Sequence, residues 1–398
     1  MWICSPEGRA VIEQADAQLV AHPGDPLAAS TSLRRLLPEL APELAAAALD
    51  QARLARLAAD RYGIDAHALL LTRDGLEQAT RPEVARLRAE LLQQAGAQVV
   101  VDLTAGLGFD VRAFLSAGLT VIAVERDATT AAFLRVNAPA AEVVQADALE
   151  VATGLLARLR PTDVVFIDPA RRSGRRTLDG SRAHPERDPE RWSPPWSFVT
   201  SLADQGIRVC AKVAPGFAAD LLPTGWCGIW TSVQRTMVEA MVCSWDIGAA
   251  RTARAIGARV VDFASTAPCI SSASALEQWL HEPDPSLVNA GLLDEFCAAH
   301  PSLARVDEQS TWLTSSADFT HAMLRSYEVR QELPNDVKGL RKSLNALGVG
   351  DLTIKCRGMG IDADAMRKQL RLLAGNPGTV VITTVQGQRT TVLVHDHR

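Results

Sequence analysis

The sequence predicts an α/β protein in which a parallel sheet follows a helical N-terminal region and precedes a small α+β unit. Residues 1–95 are rich in Ala, Leu, Arg and Glu with helical periodicity. From residue 98, short β-branched runs alternate with helical stretches. Residues 325–398 follow the pattern strand, helix, strand, helix, strand, strand. We therefore predict four segments: helical 1–95, sheet-containing 96–264, a connector 265–324, and the α+β unit 325–398.

Two N-terminal helices are well defined by their ends. "PELAAAALDQARLARLAADRYG" predicts a helix that Gly63 ends, and "TRPEVARLRAELLQQAG" predicts one with Thr80 as N-cap and Gly96 beyond its last turn. We expect this region to have a packing role.

The strand predictions rest on five runs: "QVVVDL", "TVIAVE", "EVVQAD", "DVVFID" and "IRVCAKV". Runs that are apolar throughout suit strands buried on both faces of a parallel sheet. Four of them end in the acids Asp102, Glu125, Asp147 and Asp168, separated by 23, 22 and 21 residues. This interval corresponds to one strand and one helix, so the four carboxylates should lie along one sheet edge, where open α/β sheets bind ligands.

A glycine loop, Gly106-x-Gly108, follows the first strand and allows three interpretations. A dinucleotide loop would need a third glycine, where this chain has Val111. S-adenosylmethionine (SAM) carries an ammonium and a sulfonium, which favour the flanking acids Asp102 and Asp110. Glu125 could then accept the ribose hydroxyls, and Asp147 the adenine amino group. The simplest interpretation is that these acids only cap helices.

The motifs "VDLTAGLGFD", "VERD", "QADALE" and "FIDPARR" resemble those of class I SAM-dependent methyltransferases over residues 96–246. The whole chain, with "EQATRPEVARLRAELL", "KVAPG" and "LPNDVKGLRKSLNALGVGDLTIKCRG", resembles bacterial methyltransferases that carry a C-terminal THUMP-like domain. The resemblance implies a Rossmann-like sheet and SAM as cofactor. The cofactor-binding positions it implies are Asp102, Thr104, Gly106, Gly108, Asp110, Glu125, Arg126, Asp147, Ala148 and Asp168.

In amino-methylating relatives, an Asp/Asn-Pro-Pro-aromatic motif stands where this chain has Asp168-Pro169-Ala170-Arg171. The resemblance implies catalytic roles for Asp168, Pro169 and Arg171: the carboxylate and a following carbonyl accept the target amine's N–H bonds. Ala170 replaces the second proline, and Arg171 replaces the aromatic residue, although a guanidinium plane can also stack on a base.

Two other sequences could belong to an active site. Cys210 lies within "RVCAKVAPG", before the strand ends, so we expect a buried thiol and no covalent pyrimidine mechanism. "SPPW" at 193–196 matches the amino-methylase consensus, but we expect it to begin a helix with Ser193 as N-cap and Pro194 as first residue. Trp192 and Trp196 could line a base pocket.

The charge distribution favours nucleic acid as partner. Residues 325–398 carry 12 basic and 7 acidic residues, whereas the rest of the chain carries 29 and 39. THUMP domains in related enzymes bind tRNA, so the resemblance implies RNA, and within it tRNA. The residues expected to contact RNA are Arg171, Arg172, Arg175 and Arg176 after Asp168, with Lys338, Arg341, Lys342, Lys355 and Arg357 in the C-terminal unit.

Composition argues against several other classes of protein. No run of eighteen apolar residues and no signal-peptide core are present, so we expect no membrane partner. Seven scattered cysteines without C-x-x-C predict reduced thiols, no disulfide framework and no metal, and we interpret "HDH" at 395–397 as surface polarity. We predict a cytoplasmic SAM-dependent RNA methyltransferase. The alternatives are a degenerate methyltransferase fold that binds RNA or protein without turnover, and a small-molecule methyltransferase.

Overall fold

The computed structural model describes residues 1–63, 66–171, 186, 188–267, 269–271 and 273–397. Two compact units divide the chain. The first contains Met1–Lys212 and Cys243–Trp245, and the second contains Val213–Val242 and Asp246–Arg398.

The first unit begins with the N-terminal helices, which are α1 (Pro6–Ala21), α2 (Pro26–Leu36), α3 (Pro42–Tyr62), α4 (Arg73–Gln78) and α5 (Pro82–Gln94). Helix α3 ends at Gly63 with a left-handed φ of 63°, as the sequence predicts. The predicted N-cap of α5 is wrong, because the capping position is Arg81 and no side chain caps the helix. The Thr80 hydroxyl is instead used in a tertiary contact, in which it donates to Asp110 Oδ2 at 2.6 Å.

A parallel sheet follows, formed by β1 (Val99–Asp102), β2 (Thr120–Glu125), β3 (Glu142–Gln145), β4 (Val164–Ile167) and β5 (Arg208–Val213). Its helices are α6 (Phe109–Ser116), α7 (Ala128–Asn137), α8 (Ala148–Leu156) and α9 (Trp196–Asp204). The strand order is β3-β2-β1-β4-β5, with every neighbouring pair parallel. The order reverses direction between β1 and β4, and ligands of open α/β sheets bind at such a point.

The second unit contains β6 (Cys227–Val233), β7 (Thr236–Cys243) except for its last residue, β8 (Arg251–Ile256) and β9 (Val260–Ala264), in the order β7-β6-β8-β9. The predicted connector forms β10 (Trp279–Pro283), α10 (Pro285–Asn289), α11 (Leu293–Ala299), β11 (Ala304–Arg305) and β12 (Leu313–Ser315). The sequence "SLVNAGLLDEFCAAH" predicts one helix here. Two form, because Gly291 adopts a left-handed φ of 63° between them.

The C-terminal segment forms β13 (Leu324–Leu333), α12 (Val337–Ala346), β14 (Val349–Lys355), α13 (Ala363–Leu370), β15 (Asn376–Val385) and β16 (Gln388–Asp396), in the predicted succession. These strands belong to a sheet of order β11-β12-β10-β13-β16-β15-β14. Strand β10 is antiparallel to β13, so residues predicted as a connector help to complete this sheet. Leu340 and Leu344 of α12 and Met366 and Leu370 of α13 are buried in the core of this segment.

The N-terminal helices and the glycine loop of the first unit share one hydrophobic core. Leu107, within the loop, is buried in the same cluster as side chains of α1 to α4. Asn137, at the end of α7 and 3% exposed, makes a second connection. Its Oδ1 accepts the Leu70 N–H at 2.8 Å, and its Nδ2 donates to the carbonyls of Leu70 and Leu107, each at 2.9 Å. The helical region is therefore bonded directly to the loop.

Within the described residues, no helix combines the length and apolar character that crossing a membrane requires.

Replacing Asn137 with Ala should loosen this connection. Three buried backbone groups would lose their partner, at a cost of about 2–4 kcal/mol. Hydrogen–deuterium exchange of the full chain should show lost protection of the amides around Leu70. The midpoint temperature of the first thermal unfolding transition should decrease. Asn289→Ala, which removes a single partly buried side-chain bond to Pro285, should leave exchange at Leu70 unchanged. Unaltered protection in Asn137→Ala would contradict the proposed role of this side chain.

Candidate active site

The glycine loop leaves open space next to its backbone. Gly106 and Gly108 have left-handed φ values of 54° and 86°. A Cβ at Gly108 would lie 2.5 Å from Leu134 Cδ1, so only glycine fits where the loop packs on α7. At Gly106 nothing lies within 4 Å of a Cβ position. A ligand can therefore approach the backbone there, next to the N-terminal end of α6.

Two acids hold the loop in shape. Asp102 Oδ1 accepts the Thr104 N–H at 3.0 Å. Asp102 is only 1% exposed, and this burial raises its pKa well above the usual value, which the Thr104 N–H only partly offsets. Glu125, at the end of β2, accepts the Gly106 N–H with Oε2 at 3.1 Å and the Asp127 N–H with Oε1 at 2.7 Å.

Asp147 caps a helix, as the simplest interpretation of these acids expects. Its Oδ1 accepts the Leu149 N–H at 2.9 Å at the start of α8, whose first residue, Ala148, is buried. Oδ2 accepts no hydrogen bond from the residues that the structure describes. Capping therefore uses one oxygen of this half-buried carboxylate and leaves the other for a ligand.

The sequence predicts that Asp110 contacts the cofactor. In the structure, both carboxylate oxygens of Asp110 instead accept hydrogen bonds from the N-terminal helical region. Oδ2 accepts the Thr80 hydroxyl, and Oδ1 accepts the Arg88 guanidinium. Arg88 is 1% exposed in its side chain and also lies over the Phe166 ring of β4. We therefore assign Asp110 to the connection between this region and the sheet.

Asp168 follows β4 and is fixed on two sides. Its N–H donates to Thr104 Oγ1 at 2.6 Å, which joins it to the glycine loop. Its Oδ2 accepts from Lys212 Nζ at 2.6 Å. Ile167 pairs with Ala211, so Asp168 and Lys212 are neighbours at the ends of β4 and β5. The carboxylate is 32% exposed, and among the described residues Oδ1 has no hydrogen-bond donor.

The "SPPW" segment lies next to this turn, contrary to the expectation that Ser193 caps a helix. Ser193 and Ala170 pair in an antiparallel bridge, with the Ala170 N–H 2.8 Å from the Ser193 carbonyl and the Ser193 N–H 3.0 Å from the Ala170 carbonyl. This pairing keeps the chain extended, and α9 starts only after Pro195. Arg126 Nη1 lies 3.3 Å from Ser193 Oγ. The Pro169 carbonyl accepts no hydrogen bond from the described residues.

The aromatic residues of this segment are largely used in packing. Trp192 is 5% exposed, and its Nε1 donates to the Glu186 carbonyl at 3.2 Å. Its ring contacts that of Trp196 edge-on, with centroids 6.2 Å apart. Arg171 is half-buried, and its carbonyl accepts the Glu186 N–H at 2.7 Å. Arg172, Arg175 and Arg176, which the sequence predicts as RNA contacts, lie outside the described residues.

Sequence reasoning missed Lys212 and Thr80 as parts of this site. In the sequence, Lys212 is a second charged residue of β5, near its carboxyl end and one position after Ala211, which pairs with Ile167. Thr80 gave no such signal, because its local sequence suggests a helix cap. Cys210 is fully buried, as expected.

The basic residues of the C-terminal segment fall into two groups. Lys338, Lys342 and Arg357 are exposed. The other two predicted RNA contacts have partners within the protein: Arg341 Nη2 donates to the Gln369 carbonyl at 2.6 Å, and Lys355 Nζ pairs with Glu282 Oε2 at 2.8 Å.

Lys355 is therefore a less suitable phosphate contact than the sequence implies. Burial acts to raise the pKa of Glu282, but the hydrogen bond and charge of Lys355 outweigh it, and the pKa is lowered. Lys355 also lies over the Tyr327 ring, 5.4 Å from its centroid.

The described residues form neither a metal-binding cluster nor a disulfide. No group of three or more His, Cys, Asp or Glu side chains there could hold a metal ion. All seven cysteines are free.

The acids around the loop fit a cationic ligand better than a pyrophosphate. The Glu125 carboxylate would repel phosphate groups, whereas it attracts an ammonium or sulfonium. Glu125 is only partly buried and stands where a ribose diol could donate to it. These features fit SAM.

Comparisons with known proteins show which families and folds this chain resembles. A family model described as THUMP domain-like matches residues 324–396, and one described as a domain of unknown function (DUF8688) matches residues 1–58. An uncharacterized S-adenosylmethionine-dependent methyltransferase of Mycobacterium tuberculosis, found in two strains, is 32% identical over 330 residues, which cover 79% of this chain and 85% of the relative.

A crystal structure also has the same fold. It is that of a protein assigned as a methyltransferase from Porphyromonas gingivalis W83, with a TM-score of 0.75 and 20% identity over 99% of both chains. At this identity, the likeness shows the fold alone.

Glu125→Ala tests the loop acids as parts of a SAM site. Removing a charged acceptor should weaken SAM binding by about 1–3 kcal/mol in calorimetry. Glu150→Ala, which removes an exposed carboxylate at the start of α8, serves as the control and should bind SAM like the wild type. Unchanged affinity in Glu125→Ala would remove this residue from the site.

Proposed function

Because this chain belongs to the family of S-adenosylmethionine-dependent methyltransferases, we propose that it methylates RNA, and that this RNA is tRNA in the cytoplasm. The family establishes the reaction class and the cofactor, as the sequence predicts. The acceptor is the proposed part, and it rests on the C-terminal segment and on the turn at Asp168.

The observation that carries the RNA proposal is the match of residues 324–396 to the THUMP domain-like family. The resemblance to enzymes with THUMP domains implies that such a domain binds tRNA. The segment has a basic excess, and three of the predicted contacts, Lys338, Lys342 and Arg357, are exposed to solvent. Exposed lysines and arginines are the side chains that contact phosphates without reading sequence.

The turn at Asp168 supports an amino group as the acceptor. Asp168 Oδ1 and the Pro169 carbonyl, which lack donors among the described residues, could together accept the two N–H bonds of an amino nitrogen. Two such bonds would fix the rotation of the amino group and direct its lone pair, which is catalysis by orientation.

Bound SAM supplies an electrophilic methyl group. The acceptor nitrogen would form its bond to that methyl carbon as the bond from the methyl carbon to the sulfonium sulfur breaks, with S-adenosylhomocysteine as the leaving group. The Asp168 carboxylate would stabilise the positive charge that the nitrogen gains. The nitrogen then loses a proton to Asp168 or to water. In this proposal Arg171 stacks its guanidinium on the target base, and Arg172, Arg175 and Arg176 contact the phosphates beside it.

Asp168→Ala should separate binding from chemistry. SAM affinity should stay near the wild-type value, because the proposed partner of Asp168 is the acceptor. Transfer of labelled methyl groups to total RNA should fall by about 100-fold or more, as expected for an interaction that strengthens in the transition state. Asp204→Ala, which removes an exposed carboxylate at the end of α9, should retain full turnover. Full turnover in Asp168→Ala would overturn the assignment of this turn.

The basic side chains can be tested without truncation, which would remove β13 from its pairing with β10. In the double variant Lys338→Gln/Lys342→Gln, tRNA affinity should fall, and the log–log dependence on salt should lose about 0.7 per phosphate contact removed. Arg34→Gln/Arg35→Gln removes the same charge from exposed positions of α2 and should keep the wild-type slope. Equal slopes in both double variants would show that these lysines do not contact RNA.

A further inference from the structure

We propose that Lys212 is a positioning residue for the acceptor site, and that Thr80 of the N-terminal helical region holds Lys212 in place. This inference rests on the role proposed for Asp168. It gives a function to a region for which the sequence predicts only packing.

Lys212 determines where the open oxygen of Asp168 points. The Asp168 main chain is anchored by Thr104, and its Oδ2 lies 2.6 Å from Lys212 Nζ. With the backbone and one oxygen fixed, the plane of the carboxylate is fixed as well, and so is the direction of Oδ1. Without Lys212, the Asp168 carboxylate could rotate and form hydrogen bonds with water. Its Oδ1 would then no longer be held in the orientation that accepts the N–H of the acceptor amine.

The ion pair is shielded from solvent on the lysine side. The side chain of Lys212 is 11% exposed, whereas that of Asp168 is 32% exposed. Such a pair is screened less than a surface pair, and its geometry is better defined. Asp168, the more exposed residue of the pair, is the one proposed to bind the acceptor.

Thr80 connects this pair to the helical region. Its hydroxyl accepts from Lys212 Nζ at 3.1 Å and donates to Asp110 Oδ2 at 2.6 Å. A hydroxyl has one proton, so donating it to Asp110 leaves its lone pairs for the lysine. Thr80 is 6% exposed, which excludes most competing water.

The far end of this network is anchored by the buried ion pair of Arg88 with Asp110. Hydrogen bonds thus run from Arg88 on α5 through Asp110 and Thr80 to Lys212 and Asp168. The helical region contributes two of the five residues, and one of them, Thr80, contacts the lysine directly. A contact of this kind can set geometry at Asp168, which packing of apolar surfaces alone would not do.

Four variants of the full-length protein test this inference: Lys212→Met, Lys212→Arg, Thr80→Val and Thr80→Ser. Labelled methyl transfer to total RNA from a strain that lacks the enzyme gives kcat and KM, and calorimetry gives SAM affinity. We expect Lys212→Met to lower kcat about tenfold or more and Thr80→Val to lower it about threefold to tenfold, with SAM affinity within about twofold of wild type. Lys212→Arg and Thr80→Ser should each recover part of the lost turnover, since charge or hydroxyl is kept.

Arg158→Gln, which breaks an exposed ion pair with Glu142, is the matched control and should leave kcat unchanged. If Lys212→Met and Thr80→Val both turn over at the wild-type rate, the inference is wrong. If Lys212→Met fails to fold, the comparison of Thr80→Val with Thr80→Ser tests the inference instead. Valine replaces the threonine hydroxyl with a methyl group of similar size, so this variant is expected to fold.

The two proposals fail in different ways. A wild-type enzyme that transfers nothing to RNA overturns the proposed acceptor. The coupling of Lys212 to Asp168 is then measured on the protein alone, by a double-mutant cycle of Asp168→Asn and Lys212→Met in thermal unfolding. Non-additive shifts support the inference, and additive shifts overturn it.

Discussion

The site depends on one hydrogen bond, from the Asp168 N–H to the Thr104 hydroxyl. It joins the loop proposed to hold the cofactor to the turn proposed to hold the acceptor. Each partner is also fixed from its own side, the loop through Asp102 and Glu125 and the turn through Lys212. Methyl transfer requires the two reactants to approach within a few tenths of an ångström of one geometry. A direct bond between loop and turn keeps that spacing constant.

The fold of the first unit could be predicted because its signal is local and repeated. Most of the parallel strands are buried and largely apolar, and the acid at or just after the end of four of them recurs at the interval of one strand and one helix. Because these strands are all parallel, their carboxyl ends, and with them the acids, lie at one edge of the sheet. The C-terminal succession of strands and helices was predictable for the same reason, since each element carries its own periodicity.

The contacts that could not be predicted from the sequence are those between residues that are far apart along the chain. Thr80 and Ser193 both have the local sequence of a helix cap, yet each is used by a partner far along the chain, Asp110 and Ala170. Lys355 is a third example. Its local sequence predicts a surface cation, but in the structure it forms an ion pair with Glu282 of β10. At Thr80, local propensity competes with a tertiary hydrogen bond to the buried Asp110, and the tertiary bond forms because leaving buried groups unpaired costs more.

The contact between Leu107 and the N-terminal helices has an evolutionary consequence. A Cβ added to Gly75 of α4 would overlap the Leu107 side chain, so a larger residue at position 75 requires a smaller one at 107. Leu107 lies within the glycine loop, so that compensation alters the loop as well. Homologous proteins are therefore expected to change these two positions together. An N-terminal region grafted from one homologue onto another should work only when the loop residue is transferred with it.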